Sequence, residues 1–336
     1  MVRFSLGLPS SIQIEKIVEY SKTAEEFYYD FLWLKEESPT TLQKDPYTIL
    51  KAMASNTESI CIGPWGLDLN VIEPSLIASY TASLSEFSKG RAVTSIKDTP
   101  ERASKEGFRI IKSLLAGETV DFNGEIFKVK NLKLPSKPVL TSCHGPRDVP
   151  LYVVCNSVES LRWAGKNADG VLVRSPLKYF PTVMAEIKAG ADEAGRSLDG
   201  FDVANWLPWS ISMDTKEARE FVKPQVARVV AQTSPEIIQS LGIKVEEVEA
   251  MKQSLESEPE RIASQVTEQM LDHFSISGPY WECNKKVKEL IKLGGWPDVR
   301  GRVQIVVGYP YGPSEVEAIK TIGDETVKIF RLPYDC

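Results

Sequence analysis

Histidine is nearly absent: His144 and His273 are the whole complement of a 336-residue chain, so a histidine-built metal centre is excluded. Cysteine is sparse too. The five thiols are scattered, odd in number and nowhere spaced Cys-x-x-Cys, which excludes a zinc ribbon and a disulfide framework. They are expected to be mostly reduced, and the adjacent pair Cys143-His144, without further ligands, reads as loop. No apolar run reaches the ~18 residues of a bilayer span, and residues 1–12 lack the basic start and apolar core of a secretion signal. A soluble, cytoplasmic protein with no membrane partner is expected. An excess of basic charge is also missing. Lysine and arginine total 40 against 46 acids, a net charge of −6, which offers no footprint for a nucleic-acid backbone.

What is present is the composition of a folded globule, 42% hydrophobic and 26% charged. Short apolar runs alternate with longer stretches of helical period, as in repeated βα units around a parallel sheet. Strands are predicted at 3–8, 29–34, 59–64, 92–96, 151–155, 170–174, 202–213 and 302–308. These runs are almost continuously apolar, as strands covered on both faces must be. Helices are predicted at 12–26, 46–56, 74–88, 100–115, 157–167, 176–194 and 280–293, with a long helical stretch at 215–274. Eight strand–helix pairs predict a single (β/α)₈ TIM barrel over 1–336, an open doubly wound sheet being the alternative. Two excursions interrupt the spacing: a hairpin insertion at 117–150 before strand five, turning at Asn123-Gly124, and a helical excursion at 215–278 before strand eight.

Five segments carry a resemblance. They are LSEFSKGRAV at 84–93, GETVDFNGEIFK at 117–128, Ala168-Asp169-Gly170-Val171-Leu172, VTEQMLDHFSISG at 266–278 and IVVGYPYGP at 305–313. On these the chain resembles the luciferase-like flavin and deazaflavin oxidoreductases, and within them the archaeal methylenetetrahydromethanopterin reductases. The resemblance implies a barrel of the bacterial-luciferase type, a homodimer or higher oligomer, and coenzyme F-420 as hydride carrier for a small organic or pterin substrate. FMN, as in the monooxygenases of the same family, is the alternative cofactor. A third reading is a non-catalytic barrel that lost the cofactor site and serves as a binding or partner subunit.

The matching segments are mostly scaffold, and the positions that the resemblance assigns to ligands differ. Gly7 stands where the reductases carry a glutamate. Trp33-Leu34-Lys35-Glu36-Glu37 replaces a segment ending in aspartate and histidine. Glu36 and Glu37, at the carboxyl edge of strand two, are the candidate acid or base, or else a solvated loop pair. After strand three, Trp65 replaces a glycine, and Gly66 is placed to supply the family's strained non-prolyl cis bulge. Trp65 either flanks the ring or fills its place; Asp68 and Asn70 follow. Ser95-Ile96-Lys97-Asp98 replaces a glycine-rich turn, so Lys97 brings bulk to the ring's approach, and the helix at Pro100 begins without the family's longer loop. Asn156-Ser157-Val158-Glu159 replaces a Gly-Pro-Lys turn suited to phosphate; Ser157 keeps a donor, whereas Glu159 repels an anion.

Trp206, Pro208 and Trp209 on strand seven either line the mouth, Trp206 facing a planar ring, or pack in the core. Cys155 ends strand five, facing the pocket or simply buried, and His273 reads as scaffold. The cofactor set is thus Trp65, Gly66, Asp68, Lys97, Asn156, Ser157 and Trp206, with no metal ligand. Ala78, Ser79, Ala82 and Ser83 form a small-residue stripe on helix 74–88, the expected face for close contact between copies.

Overall fold

A computed structural model describes residues 2–35, 44–98, 101–141, 147–257, 262–294 and 302–331. Eight parallel strands form the centre: β1 (Arg3–Pro9), β2 (Phe31–Lys35), β3 (Cys61–Pro64), β4 (Thr94–Lys97), β5 (Leu151–Val154), β6 (Gly170–Val173), β7 (Asp202–Ile211) and β8 (Arg302–Tyr311). Their hydrogen-bonded order is β3-β2-β1-β8-β7-β6-β5-β4. The two ends of that path, β3 and β4, meet through isolated parallel bridges at Ile62–Ala92 and Leu67–Ile96, so the sheet curls into a nearly closed barrel. A three-residue strand, Ile276–Gly278, lies parallel to the end of β7.

Helices cover the outside, and local chemistry starts several of them. Asp45 accepts the Thr48 N–H at 2.7 Å to cap helix Pro46–Ser55, whose proline sits where its missing N–H is not needed. Asp214 caps Thr215–Ala231 in the same way, accepting from Lys216 N at 2.8 Å. The antiparallel pair Val120–Asn123 and Lys128–Leu132 precedes β5. Between β7 and β8 the chain forms Thr215–Ala231, Pro235–Ser240, Val245–Ser257 and Glu268–Phe274. These helices close on a separate apolar cluster that includes Val226, Val230, Ile238, Met251 and Leu271.

The barrel is filled in layers, as its geometry requires. At the amino-terminal floor, fully buried Asp202 accepts the Tyr152 hydroxyl at 2.7 Å and lies 3.8 Å from Arg3 and 3.7 Å from Arg147. Above it Gln304 Oε1 accepts from Ser5 Oγ at 3.1 Å and from Trp33 Nε1 at 3.2 Å. The rest of the interior is aromatic and aliphatic, with Phe31, Trp33, Trp65, Val154, Leu172, Trp206 and Val306 in one cluster.

Candidate functional site

In parallel barrels the loops at the carboxyl ends of the strands build the active site. Here that end holds two different places. On the axis, the indole of Trp206 is 2% exposed and meets Trp65 edge-on at 4.8 Å between ring centres. Trp65, 5% exposed, also stands edge-on to Trp33 at 6.1 Å. The Trp206 ring lies across Gly7 of β1 and Gly308 of β8, where any Cβ would collide with it. Lys35 sits above the same indole, its ammonium 5.5 Å from the ring centre. The space a carboxylate at position 7 would occupy is therefore taken by Trp206.

The segment joining β3 to the Leu67 bridge turns at Gly66, whose φ of +78° disfavours any larger residue. Among the described residues the cis peptide bond is Tyr309–Pro310, so the expected cis bulge at Gly66 is corrected. The turn is held instead by Ser95, whose hydroxyl accepts the Gly66 N–H at 2.6 Å and donates to Pro64 O at 2.6 Å. The Lys97 stem and Val154 press on Gly66, and the Lys97 ammonium lies 3.7 Å from Asp68. Asp68 also accepts the Asn70 N–H at 2.9 Å. Trp65 and Trp206 thus belong to one packed cluster on the axis, with Gly66 beside it and the part-exposed Lys97–Asp68 pair next to that turn.

The second place lies to the side. A cavity of about 390 Å³ opens between the ends of β5 and β6 and the start of the helical excursion, beside Asn156, Ser157, Arg174, Tyr179 and Gln232. Ser157 caps helix Val158–Asn167, accepting from Ser160 N at 3.1 Å while Ser160 Oγ accepts the Ser157 N–H at 3.1 Å. Part of that helix start is therefore satisfied internally. Exposed Glu159 stands in its first turn. Cys155 is buried, and burial drives its thiol pKa far up, so it is a packed and unreactive thiol. Cys283 is likewise free, buried and pushed up to about 12, whereas Cys61 is disulfide-bonded. His273 is buried on the excursion. Trp209 is wholly buried in the core.

Glu36, Glu37, Cys143 and His144 lie outside the described residues. Asn156 and Ser157 line the lateral cavity, away from the Trp65–Trp206 cluster. Arg174, which the sequence reading did not single out, lines it too. Its signal was there: a charged residue directly after the apolar run Gly170–Val173 falls at the carboxyl edge of a barrel strand.

A flavin-type cofactor needs a flat slot for its ring and a seat for an anionic tail. The lateral cavity fits the second need through Arg174, the Ser157 N–H and hydroxyl both being spent on Ser160. The axis does not fit the first, because the Trp206 indole fills it.

The molecule is a parallel eight-stranded α/β barrel with a cavity at the carboxyl edge of the strands. It belongs to the luciferase-like monooxygenase family, whose sequence profile matches residues 2–295. It is 29% identical to the 5,10-methylenetetrahydromethanopterin reductase of Archaeoglobus fulgidus, over 97% of this chain and 99% of that protein. To the same enzyme of Methanolobus tindarius it is 30% identical, over 96% and 99%. The solved coenzyme F420-dependent tetrahydromethanopterin reductase of Methanopyrus kandleri superposes with a TM-score of 0.84 at 27% identity, covering 98% of this chain and 99% of that one.

Proposed function

We propose that the protein is an oxidoreductase that exchanges hydride between coenzyme F-420 and a small organic or pterin substrate, and that it holds the coenzyme weakly. The end-to-end likeness to reductases of that type carries this reading. The lateral cavity supports it, since Arg174 offers donors to an anionic tail. When bound, the coenzyme supplies the hydride chemistry, and the protein supplies position and exclusion of water. The closed axis accounts for weak binding. A ring can enter only after the Trp206 indole leaves Gly7 and Gly308, and affinity falls by the fraction of molecules in that open state. If the displacement costs about 1–3 kcal/mol, as overpacking does, the loss is roughly one to two decades at ~1.4 kcal/mol per decade.

The Trp206 contact also favours a second reading, a barrel without catalysis that binds a small molecule or a partner subunit. Titration of the purified protein with F-420, and separately with FMN, separates the two. Saturable F-420 binding weaker than submicromolar, tightened by Trp206→Ala, supports the oxidoreductase. Submicromolar binding by the unmodified protein contradicts the closed axis. Absence of F-420 binding to both proteins favours the non-catalytic barrel, and preference for FMN moves the chemistry toward the monooxygenases.

A further inference from the structure

Four aromatic rings stand in consecutive edge-on contact along the inside of the barrel. Trp206 meets Trp65 at 4.8 Å between ring centres, Trp65 meets Trp33 at 6.1 Å, and Trp33 meets Tyr152 at 5.3 Å. All four are buried, Trp206 and Trp65 at 2% and 5% exposure and the other two completely. Edge-on packing alone is ordinary for a core. The end of the row is not. Tyr152 Oη donates at 2.7 Å to Asp202, a wholly buried carboxylate with Arg3 and Arg147 at 3.8 and 3.7 Å. A backbone carbonyl would satisfy a buried phenol equally well, as Ile319 O does for Tyr29 and Gly7 O for Tyr311. Tyr20 also donates to a carboxylate, that of Glu315, but its ring neighbour is Tyr311 rather than a tryptophan.

Removing an electron from an indole or a phenol makes its N–H or O–H strongly acidic, so the hole settles where a base can take the proton. Trp33 Nε1 donates to the neutral amide oxygen of Gln304, which is no base. Among the described residues the indole N–H groups of Trp65 and Trp206 have no hydrogen-bonded base. Tyr152 has one in Asp202, and burial raises its pKa, so near neutrality the phenol keeps its proton until an electron leaves.

We propose that Trp206, Trp65, Trp33 and Tyr152 form a one-electron relay that carries an oxidising equivalent from the barrel mouth to Tyr152 and holds it there as a neutral tyrosyl radical. The oxidant is a one-electron acceptor at the mouth, of the class of a photoexcited flavin or an oxidised metal complex. It takes one electron from Trp206, the hole passes through Trp65 and Trp33, and Tyr152 refills Trp33 with one electron while its phenolic proton moves to Asp202. The oxidant is reduced by one electron and the phenol is oxidised by one. The relay uses this chain's own side chains, so it stands whether or not F-420 binds.

Flash photolysis of the full chain with tris(bipyridine)ruthenium and a cobalt(III) quencher, read by freeze-quench electron paramagnetic resonance, tests this. A tyrosyl signal should form, be lost in Tyr152→Phe, Trp33→Phe and Trp65→Phe, and persist in Tyr20→Phe. Three results overturn the relay: no tyrosyl signal, a signal that survives Tyr152→Phe or follows Tyr20 instead, or a signal unchanged by Trp33→Phe and Trp65→Phe. If Tyr152→Phe does not fold, Trp65→Phe decides, since it alters neither the phenol nor Asp202: loss of the signal upholds the relay, and an unchanged signal refutes it.

Discussion

At the scale of single residues, two glycines decide what the barrel mouth is. Gly7 and Gly308 leave a hollow on adjacent strands, and one indole fills it. Gly7→Ala should therefore cost about 1–3 kcal/mol in a urea unfolding curve, the usual penalty for overpacking. Trp206→Phe, which shrinks the ring, should recover much of that loss in the double variant. A neutral Gly7→Ala would show that the indole does not rest there. The sequence made the substitution at position 7 legible, and it made Trp206 a candidate for the mouth. It could not show that each explains the other, because they stand on strands separated by nearly two hundred residues. The place of Arg174 at a strand end was legible, but its partner was not: Gln232 comes from the excursion, 58 positions away.

At the scale of elements, the parallel strands were legible because burial on both faces writes them as unbroken apolar runs. Their ends were less so. The seventh strand stops at Ile211 rather than 213, and the eighth runs to Tyr311, beyond the predicted 308. The helical stretch predicted at 215–274 breaks where Pro235 opens a new helix and where Gly242 adopts a φ of +71°. The small-residue stripe of helix Pro74–Phe87 also divides: Ala78 is buried in the core and Ser83 is exposed. Connections between elements depend on single polar groups, and Glu25 is one. Its carboxylate, at the end of helix Ile14–Glu26, accepts the N–H groups of Glu58, Ser59 and Ile60 ahead of β3, at 2.9, 2.6 and 2.9 Å. Burial pushes its pKa upward, but these donors and the Ser59 hydroxyl outweigh burial and hold it below its ordinary value. A depressed folded-state pKa contributes stability above the unfolded value, and that stability is lost as pH falls through the folded value. Glu25→Gln should thus lower stability near neutrality by about 1.5–3 kcal/mol. The gap from the original protein should close in acid, as read by denaturant midpoints across a pH series.

At the scale of the whole molecule, helix Pro74–Phe87 turns Leu76, Tyr80 and Phe87 outward, all well exposed. Tyr47 packs against Tyr80 at 4.8 Å between ring centres, and the Lys51 ammonium sits 5.3 Å from the Phe87 ring centre. These side chains recur on one face, as a helix contact between two copies requires. Light scattering at micromolar concentration should show a dimer, and Tyr80→Glu with Phe87→Glu should yield a folded monomer. A monomeric original protein would count against that interface. The barrel wall itself is not uniform around its circumference. Seven neighbouring strand pairs are joined by ladders, while among the described residues β3 and β4 touch only at isolated bridges. The first and last strands, by contrast, pair over five positions, and Asp30 draws the chain ends together by accepting the Phe4 N–H at 2.9 Å and pairing with Arg331. Circular permutation therefore has an obvious place to cut. New termini near exposed Val71, with the old ones linked, would open the chain at the seam and leave all seven ladders between contiguous segments.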